Sequence, residues 1–296
     1  MDMTITSLSP QFGARVDCVR LPDISEREWT LIKEAFHRYG VLIFLEQHLT
    51  ASEQVEFGER FGSIEFLRPS EKHIPISNLT KSGEALQPND KFYEGLRGNE
   101  SWHIDSSNMP LAAKASILTA QVVPSFGGDT EFADLRDAYD NLNPVTKEKI
   151  SHLHSYHSLY ASQAKAGYEV RTGDAYGYHR LGMPVRPLVK THPVTGRKSL
   201  YISEDAFRIP GLDDRDAADL LQTLLTFATE QTRTLVHKWR SGDVLVWDNR
   251  CVSHRARPYD YVQPRVMRHV RIAGDPKTEL AETLPDEHTD MIGHYE

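Results

Sequence analysis

Short apolar runs, rather than long helical stripes, set the pattern of this 296-residue chain. Gly40-Val-Leu-Ile-Phe44 is a continuous apolar run and predicts a buried strand over 40–45. The mostly apolar stretch Ala113–Val123 and the run Val244–Trp247 predict two more, and Asp248-Asn249 is a turn signal that ends the latter. From Arg265 to Ile272 the pattern changes to period two. Arg265, Met267, His269 and Arg271 share one face there, while Val266, Arg268 and Val270 share the other. A further strand is expected around Gly13–Val16.

Helix signals lie between these runs. Ser25 and Glu28 have the spacing of a capping box, with Gly40 as the stop, and Thr50 and Glu53 repeat the box. Helices are also expected from Asp134, after Asn143-Pro144, and from Asp213 to about Lys238, where early acids suit the helix dipole. Residues 64–100 are polar, contain Pro69, Pro75 and Pro88, and predict a long irregular connection or lid. Ser162–Val185, rich in Gly and Tyr, predicts a second. The expected fold is mainly β with flanking helices, as a single domain over 1–296 whose residues 276–296 form a polar tail. No Pro- or Ser-rich linker and no internal repeat divides it.

Composition narrows the function classes. A net charge of −8 argues against nucleic acid as a partner but not against small acids held by local arginines. Two cysteines, Cys18 and Cys251, do not suggest a disulfide framework, and Cys251 reads as a small buried hydrophobe. No apolar run approaches membrane-spanning length, and Met-Asp-Met-Thr-Ile-Thr lacks the features of a signal peptide. A cytoplasmic enzyme is expected, with no membrane partner and the homo-oligomeric state usual for such proteins.

The candidate chemistry starts at His103-Ile104-Asp105. On an extended segment residues i and i+2 project to one face, so both side chains can reach one ion. With His254 they make two imidazoles and one carboxylate, the ligand set of a mononuclear non-haem iron(II) site with an open face. The tripeptide alone is weak, because 14 His and 21 Asp predict about one His-x-Asp by chance. The second occurrence, His288-Thr289-Asp290, lies in the polar tail and reads as solvated. His152, His154 and His157 are a rival cluster, but their spacing does not put all three on one face. They read as structural.

The surrounding wording is more specific. Gly127-Gly-Asp-Thr-Glu-Phe132, Gly242-Asp-Val-Leu-Val-Trp-Asp-Asn-Arg-Cys-Val-Ser-His254 and Pro264-Arg-Val-Met-Arg-His-Val-Arg-Ile272 resemble the taurine/2,4-dichlorophenoxyacetate dioxygenase family of Fe(II)- and 2-oxoglutarate-dependent oxygenases. The resemblance runs from about Gly13 to Asp275, and the wording is most similar to the aryloxyalkanoate (phenoxypropionate) dioxygenases. It implies a double-stranded β-helix, or jelly roll. His103, Asp105 and His254 would be the catalytic metal ligands. Thr130 and Arg265 would hold the distal carboxylate of 2-oxoglutarate. Arg271, on the same face of the strand, is a candidate either to anchor the substrate or to help bind the cosubstrate. An Arg pointing into a β-barrel needs an anion, and guanidinium suits a carboxylate.

The implied reaction consumes O2 and 2-oxoglutarate, releases succinate and CO2, and hydroxylates a small organic acid, with ether cleavage where the carbon bears an ether oxygen. A desaturating biosynthetic oxygenase is the alternative on the same scaffold, and a metal-dependent hydrolase the more distant one. A hydrolase has no use for the Thr130–Arg265 pair. Where the family often has a second Arg, four residues after the first, this chain has His269, which becomes a substrate candidate. His73, Lys91 and Arg97 are further substrate candidates, from their places ahead of the metal motif.

Overall fold

The computed structural model describes residues 2–66, 70–80, 82–88, 90–168, 171–172 and 177–286, with the side chains of Lys91, Phe92 and Glu94 outside that description. The fold is mostly β with helices. One sheet of seven strands runs in the spatial order Thr4–Ser7, Ala14–Asp17, Val41–Phe44, Val244–Asp248, Ala113–Val122, Val266–Ala273, Ile74–Ser77. Its pairings are antiparallel except for the parallel contact between Ala14–Asp17 and Val41–Phe44.

A three-stranded sheet, Thr234–His237, Thr130–Asp134 and Val252–Ala256, packs onto the inner face of the large sheet. Phe132 and Val252 from the small sheet join Leu118, Leu245, Trp247 and Met267 from the large one in a single apolar cluster. The opposite face of the large sheet is covered by helices Glu26–Tyr39 and Ala51–Glu59, whose Ile32, Phe36 and Phe57 pack with Val244, Val246, Val270 and Ile272. Strands buried on both faces read as continuous apolar runs, and this is why Val41–Phe44 and Val244–Trp247 show no alternation.

Both predicted capping boxes are present. Ser25 and Glu28, and Thr50 and Glu53, exchange side-chain and backbone bonds, and Gly40 ends the first helix in the left-handed region at φ 72°. Four expectations need correction. Residues 64–100 are not irregular throughout: Ile74–Ser77 pairs with Val266–His269, and Lys91–Gly98 is helical. Pro75 is tolerated because this strand is the edge of the sheet. The helix after Asp213 stops at Ala228 rather than near Lys238, and Thr234–His237 forms a strand against Thr130–Ala133. The β-branched residues Thr229, Thr232, Thr234 and Val236 favour that exchange. Helix Leu159–Lys165 occupies the start of the segment read as a loop from Ser162. The segment read as a polar tail from 276 is folded in its first part: Pro276–Glu279 is helical with Glu279 buried, and Thr283–Leu284 pairs with Met183–Pro184. Residues 287–296, including His288 and Asp290, lie outside the described residues.

Candidate active site

His254 stands on its own strand, Val252–Ala256, which the sequence did not announce. His103 pairs with it through an isolated bridge in which each backbone N–H donates 2.9 Å to the other's carbonyl. The two imidazoles therefore lie side by side, with ring centroids 4.1 Å apart. His103 Nδ1 donates to the Ser101 carbonyl at 2.8 Å, which fixes the tautomer and leaves Nε2 as an electron-pair donor. Asp105 is buried beside them, with Oδ2 3.7 Å from His254 Nε2. One ligand atom from each of the three lies within 4.8 Å of the others. Two imidazole nitrogens and one carboxylate oxygen at this spacing fit a divalent iron centre with free coordination positions.

Burial alone would raise the Asp105 carboxyl, but the Arg271 guanidinium beside it holds it well below the usual carboxylate range. Arg271 Nη2 sits 2.6 Å from Oδ1 as a close ion pair, and the Ser116 hydroxyl donates to Oδ2 at 2.6 Å. His269 Nε2 is 3.5 Å from Oδ2, its ring stacked on Trp247 with centroids 5.8 Å apart. Burial keeps His254 and His269 neutral, the form in which imidazole ligates. Just after Asp105 the chain turns through Ser106 at φ 56°, an uncommon conformation for a residue with a side chain.

Arg265 lies at the other end of the same inward face, four residues or roughly 13 Å of strand before His269. Its guanidinium is buried and donates to the Gly128 carbonyl from Nε and Nη2 at 3.3 and 3.1 Å. Asp129 acts on it through space, yet among the described residues no carboxylate comes within ion-pair distance. Asn78 secures the segment by accepting from Arg265 N and donating to the Tyr261 and Gln263 carbonyls. Gly128 is required here: its φ is 69°, and a Cβ would stand 3.1 Å from Arg265 Nε. Thr130 is buried too, and its Oγ1 accepts from Trp239 Nε1 at 2.9 Å. An indole N–H can only donate, so the Thr130 hydroxyl proton is left for another acceptor.

One cavity of about 580 Å³, counting its mouth, is lined by His103, Asp105, His254, Thr130, Arg265, His269 and Arg271 together. The apolar side chains Ile76, Leu96 and Leu118 line the rest of it with Trp247, and Tyr259 and Tyr261 stack on each other with centroids 4.2 Å apart. These wall residues were missed in the sequence. Tyr259 and Tyr261, two apart and close after His254, carried a signal of period two that could have found them.

The remaining candidates divide between this cavity and other places. Arg271, expected at the cosubstrate, lines this cavity and forms an ion pair with Asp105. His73 is half-buried at the start of the edge strand and does not line the cavity. Arg97 is also not a lining residue: its Nε pairs with Glu100 at 2.8 Å and its guanidinium lies over Tyr261. The Lys91 side chain lies outside the described residues. His157 is buried while His154 is exposed, so the 152–157 trio gathers no ligand set. Cys251 is buried, and desolvation pushes its thiol up to about 12, which suits the hydrophobe reading.

A second gathering of potential ligands, His37, His192 and Asp248, is a strut and not a metal centre. His192 Nδ1 accepts from Val194 N and Thr195 N, so Nε2 carries the proton and donates to Asp248 at 3.0 Å. Arg250 takes the Asp248 oxygens with Nε and Nη2. His37 Nδ1 meets Arg250 Nη2 at 3.4 Å, so the groups of this cluster are engaged with one another.

Comparison with known proteins agrees with this geometry. Residues 4–271 match the model of the taurine catabolism dioxygenase TauD, TfdA family. The chain is 44% identical to the (S)-phenoxypropionate/alpha-ketoglutarate-dioxygenase of Sphingobium herbicidovorans, over 94% of this chain and 97% of that protein. It is 33% identical to the alpha-ketoglutarate-dependent 2,4-dichlorophenoxyacetate dioxygenase of Cupriavidus pinatubonensis, over 93% and 99%. The crystal structure of AAD-2 in complex with Mn(II) and N-oxalylglycine superposes with a TM-score of 0.87 at 36% identity, covering 96% of this chain and 100% of that one. Among the described residues no helix is long and apolar enough to cross a membrane. The chain belongs to the TauD/TfdA family and is a dioxygenase dependent on iron(II), 2-oxoglutarate and O2.

Proposed function

We propose that this enzyme oxidises a small aryloxyalkanoic acid at the carbon bearing the ether oxygen, within a single jelly-roll domain whose two walls are the seven- and three-stranded sheets. The observation that carries the cosubstrate half of this reading is Arg265, a buried cation with no carboxylate within ion-pair distance among the described residues, facing a cavity that ends at two histidines and an aspartate. An uncompensated buried charge is costly, so the site is built for an anion that arrives from outside. Arg265 and the free proton of Thr130 take the distal carboxylate of 2-oxoglutarate, and the strand length from Arg265 to His269 accommodates the rest of that molecule.

His103, Asp105 and His254 hold the iron. Bound iron, with 2-oxoglutarate and O2, supplies the oxidising power, one oxygen atom going to succinate and one to the substrate. The protein supplies position and dryness. Ile76, Leu96 and Leu118 with the Tyr259–Tyr261 pair offer an apolar, aromatic wall of the kind an aryl ring would pack on. Among the described residues neither buried ring nitrogen of His269 has a hydrogen-bond partner, and the ring stands ready to contact the substrate acid. Hydroxylation at the ether carbon gives a hemiacetal that collapses to a phenol and a carbonyl acid.

The test is a paired product assay with 2-phenoxypropionate and Fe(II). Phenol and succinate formed in equal amounts are expected. Succinate with a hydroxylated product that keeps its ether would refute ether cleavage, and no coupling to any aryloxy acid would refute the substrate class.

A further inference from the structure

Ser116, Asn249 and Trp247 form a buried chain of hydrogen bonds that ends on Asp105. Trp247 Nε1 donates to Asn249 Oδ1 at 3.0 Å, Asn249 Nδ2 donates to Ser116 Oγ at 2.9 Å, and Ser116 Oγ donates to Asp105 Oδ2 at 2.6 Å. All four side chains are buried. The register explains the meeting: Ser116 sits directly opposite Trp247 on one neighbouring strand and opposite Arg271 on the other.

The direction of the chain is forced. An indole N–H can only donate, so the Asn249 amide must present its oxygen to Trp247 and its nitrogen to Ser116. The Ser116 oxygen then accepts from Asn249, and its own proton must point at Asp105. Arg271 closes on the other carboxylate oxygen at 2.6 Å. With Oδ1 paired to a cation and one side of Oδ2 held by a hydroxyl, Oδ2 keeps its other side for the space beside His254 and His269. Trp247 also packs on the His254 ring, with centroids 4.6 Å apart, so one side chain braces two ligands.

We infer that Ser116 and Asn249 are positioning residues for the metal: they fix the orientation of Asp105 so that it ligates through one oxygen and leaves the neighbouring coordination positions to the cosubstrate. This rests on the reading of His103, Asp105 and His254 as the ligands. Partners of this kind are worth about 10–100-fold in metal affinity. Ser116→Ala deletes only the hydroxyl oxygen. Asn249→Asp keeps the shape but removes the donor, so the Ser116 proton turns toward the new carboxylate and Asp105 loses it.

The experiment is Mn(II) binding, followed by the electron paramagnetic resonance of free Mn(II), for wild type, S116A, N249D, the double variant and H254A. Each single variant is expected to weaken Mn(II) about 10–100-fold. The double variant should lose no more than S116A alone, because Asn249 acts through Ser116. Single variants within about threefold of wild type, or losses that multiply in the double variant, would overturn the inference. A purely structural role would lower the melting temperature of the metal-free protein while leaving Mn(II) affinity unchanged, which also overturns it. If H254A binds Mn(II) as well as wild type, the ligand assignment itself fails, and that outcome is distinct from the others.

Discussion

Replacing Arg265 by Met removes the charge while keeping most of the volume. In the free enzyme the guanidinium is buried, donates only to the Gly128 carbonyl among described residues, and has no ion-pair partner there. Burial lowers its basicity, which is the sign of a cation desolvated without compensation. A charge-assisted hydrogen bond is worth about 1.5–3 kcal/mol, and removing one partner of a buried pair costs about 2–5 kcal/mol. Taking about 3–4 kcal/mol, the affinity for 2-oxoglutarate should fall roughly 10²- to 10³-fold. Arg265 touches none of the three proposed ligands, so Mn(II) or Fe(II) affinity should move less than about threefold. The metal-free protein should melt no lower than wild type, and only wild type should gain stability when 2-oxoglutarate is added. Calorimetric titration of the anaerobic Fe(II) protein measures the first quantity, and thermal scans with and without 2-oxoglutarate measure the last. A loss of 2-oxoglutarate affinity below about fivefold, or an equal loss of metal affinity, would refute the reasoning.

Two smaller perturbations follow from the same geometry. Thr130→Val is isosteric and leaves Trp239 Nε1 without its acceptor; about 10–100-fold weaker 2-oxoglutarate binding is expected by the same titration, with kcat nearly unchanged at saturation. Burial lowers His37 from 6.5 to about 4, so this histidine binds more protons unfolded than folded between those values. Its contribution is therefore complete above pH 6.5 and is lost as pH falls toward 4. Because His37 is only partly buried, that contribution is about 1–2 kcal/mol. His37→Gln should flatten the stability–pH slope in this window by one proton, as measured by urea unfolding at stepped pH. An unchanged slope would contradict the sign.

The sequence made the large sheet legible where strands are buried on both faces, as at Val41–Phe44, and where alternation carried charge, as at Arg265–Arg271. It made the two capped helices legible because a capping box is a local device of four residues. It did not reveal the strands Thr130–Asp134, Thr234–His237 and Val252–Ala256, which are short and polar and exist through pairing with one another. Those strands carry Thr130 and His254, so the site residues were readable from motif spacing while the elements that hold them were not. Arg271 was placed on the correct face, but nothing local indicated that Asp105 would be its partner. Ser116 and Asn249 were unreadable for a similar reason. Their meaning lies in a register between strands more than a hundred residues apart.

The central claim is that two histidines and one aspartate hold iron at the end of a cavity built for 2-oxoglutarate. It is tested most directly by the visible absorption of the anaerobic Fe(II) protein before and after 2-oxoglutarate is added, for wild type and His254→Ala. A new charge-transfer band in wild type, absent in the folded His254→Ala protein, is the result predicted. Iron bound to wild type with no band on adding 2-oxoglutarate, or a band that survives in His254→Ala, would contradict the account.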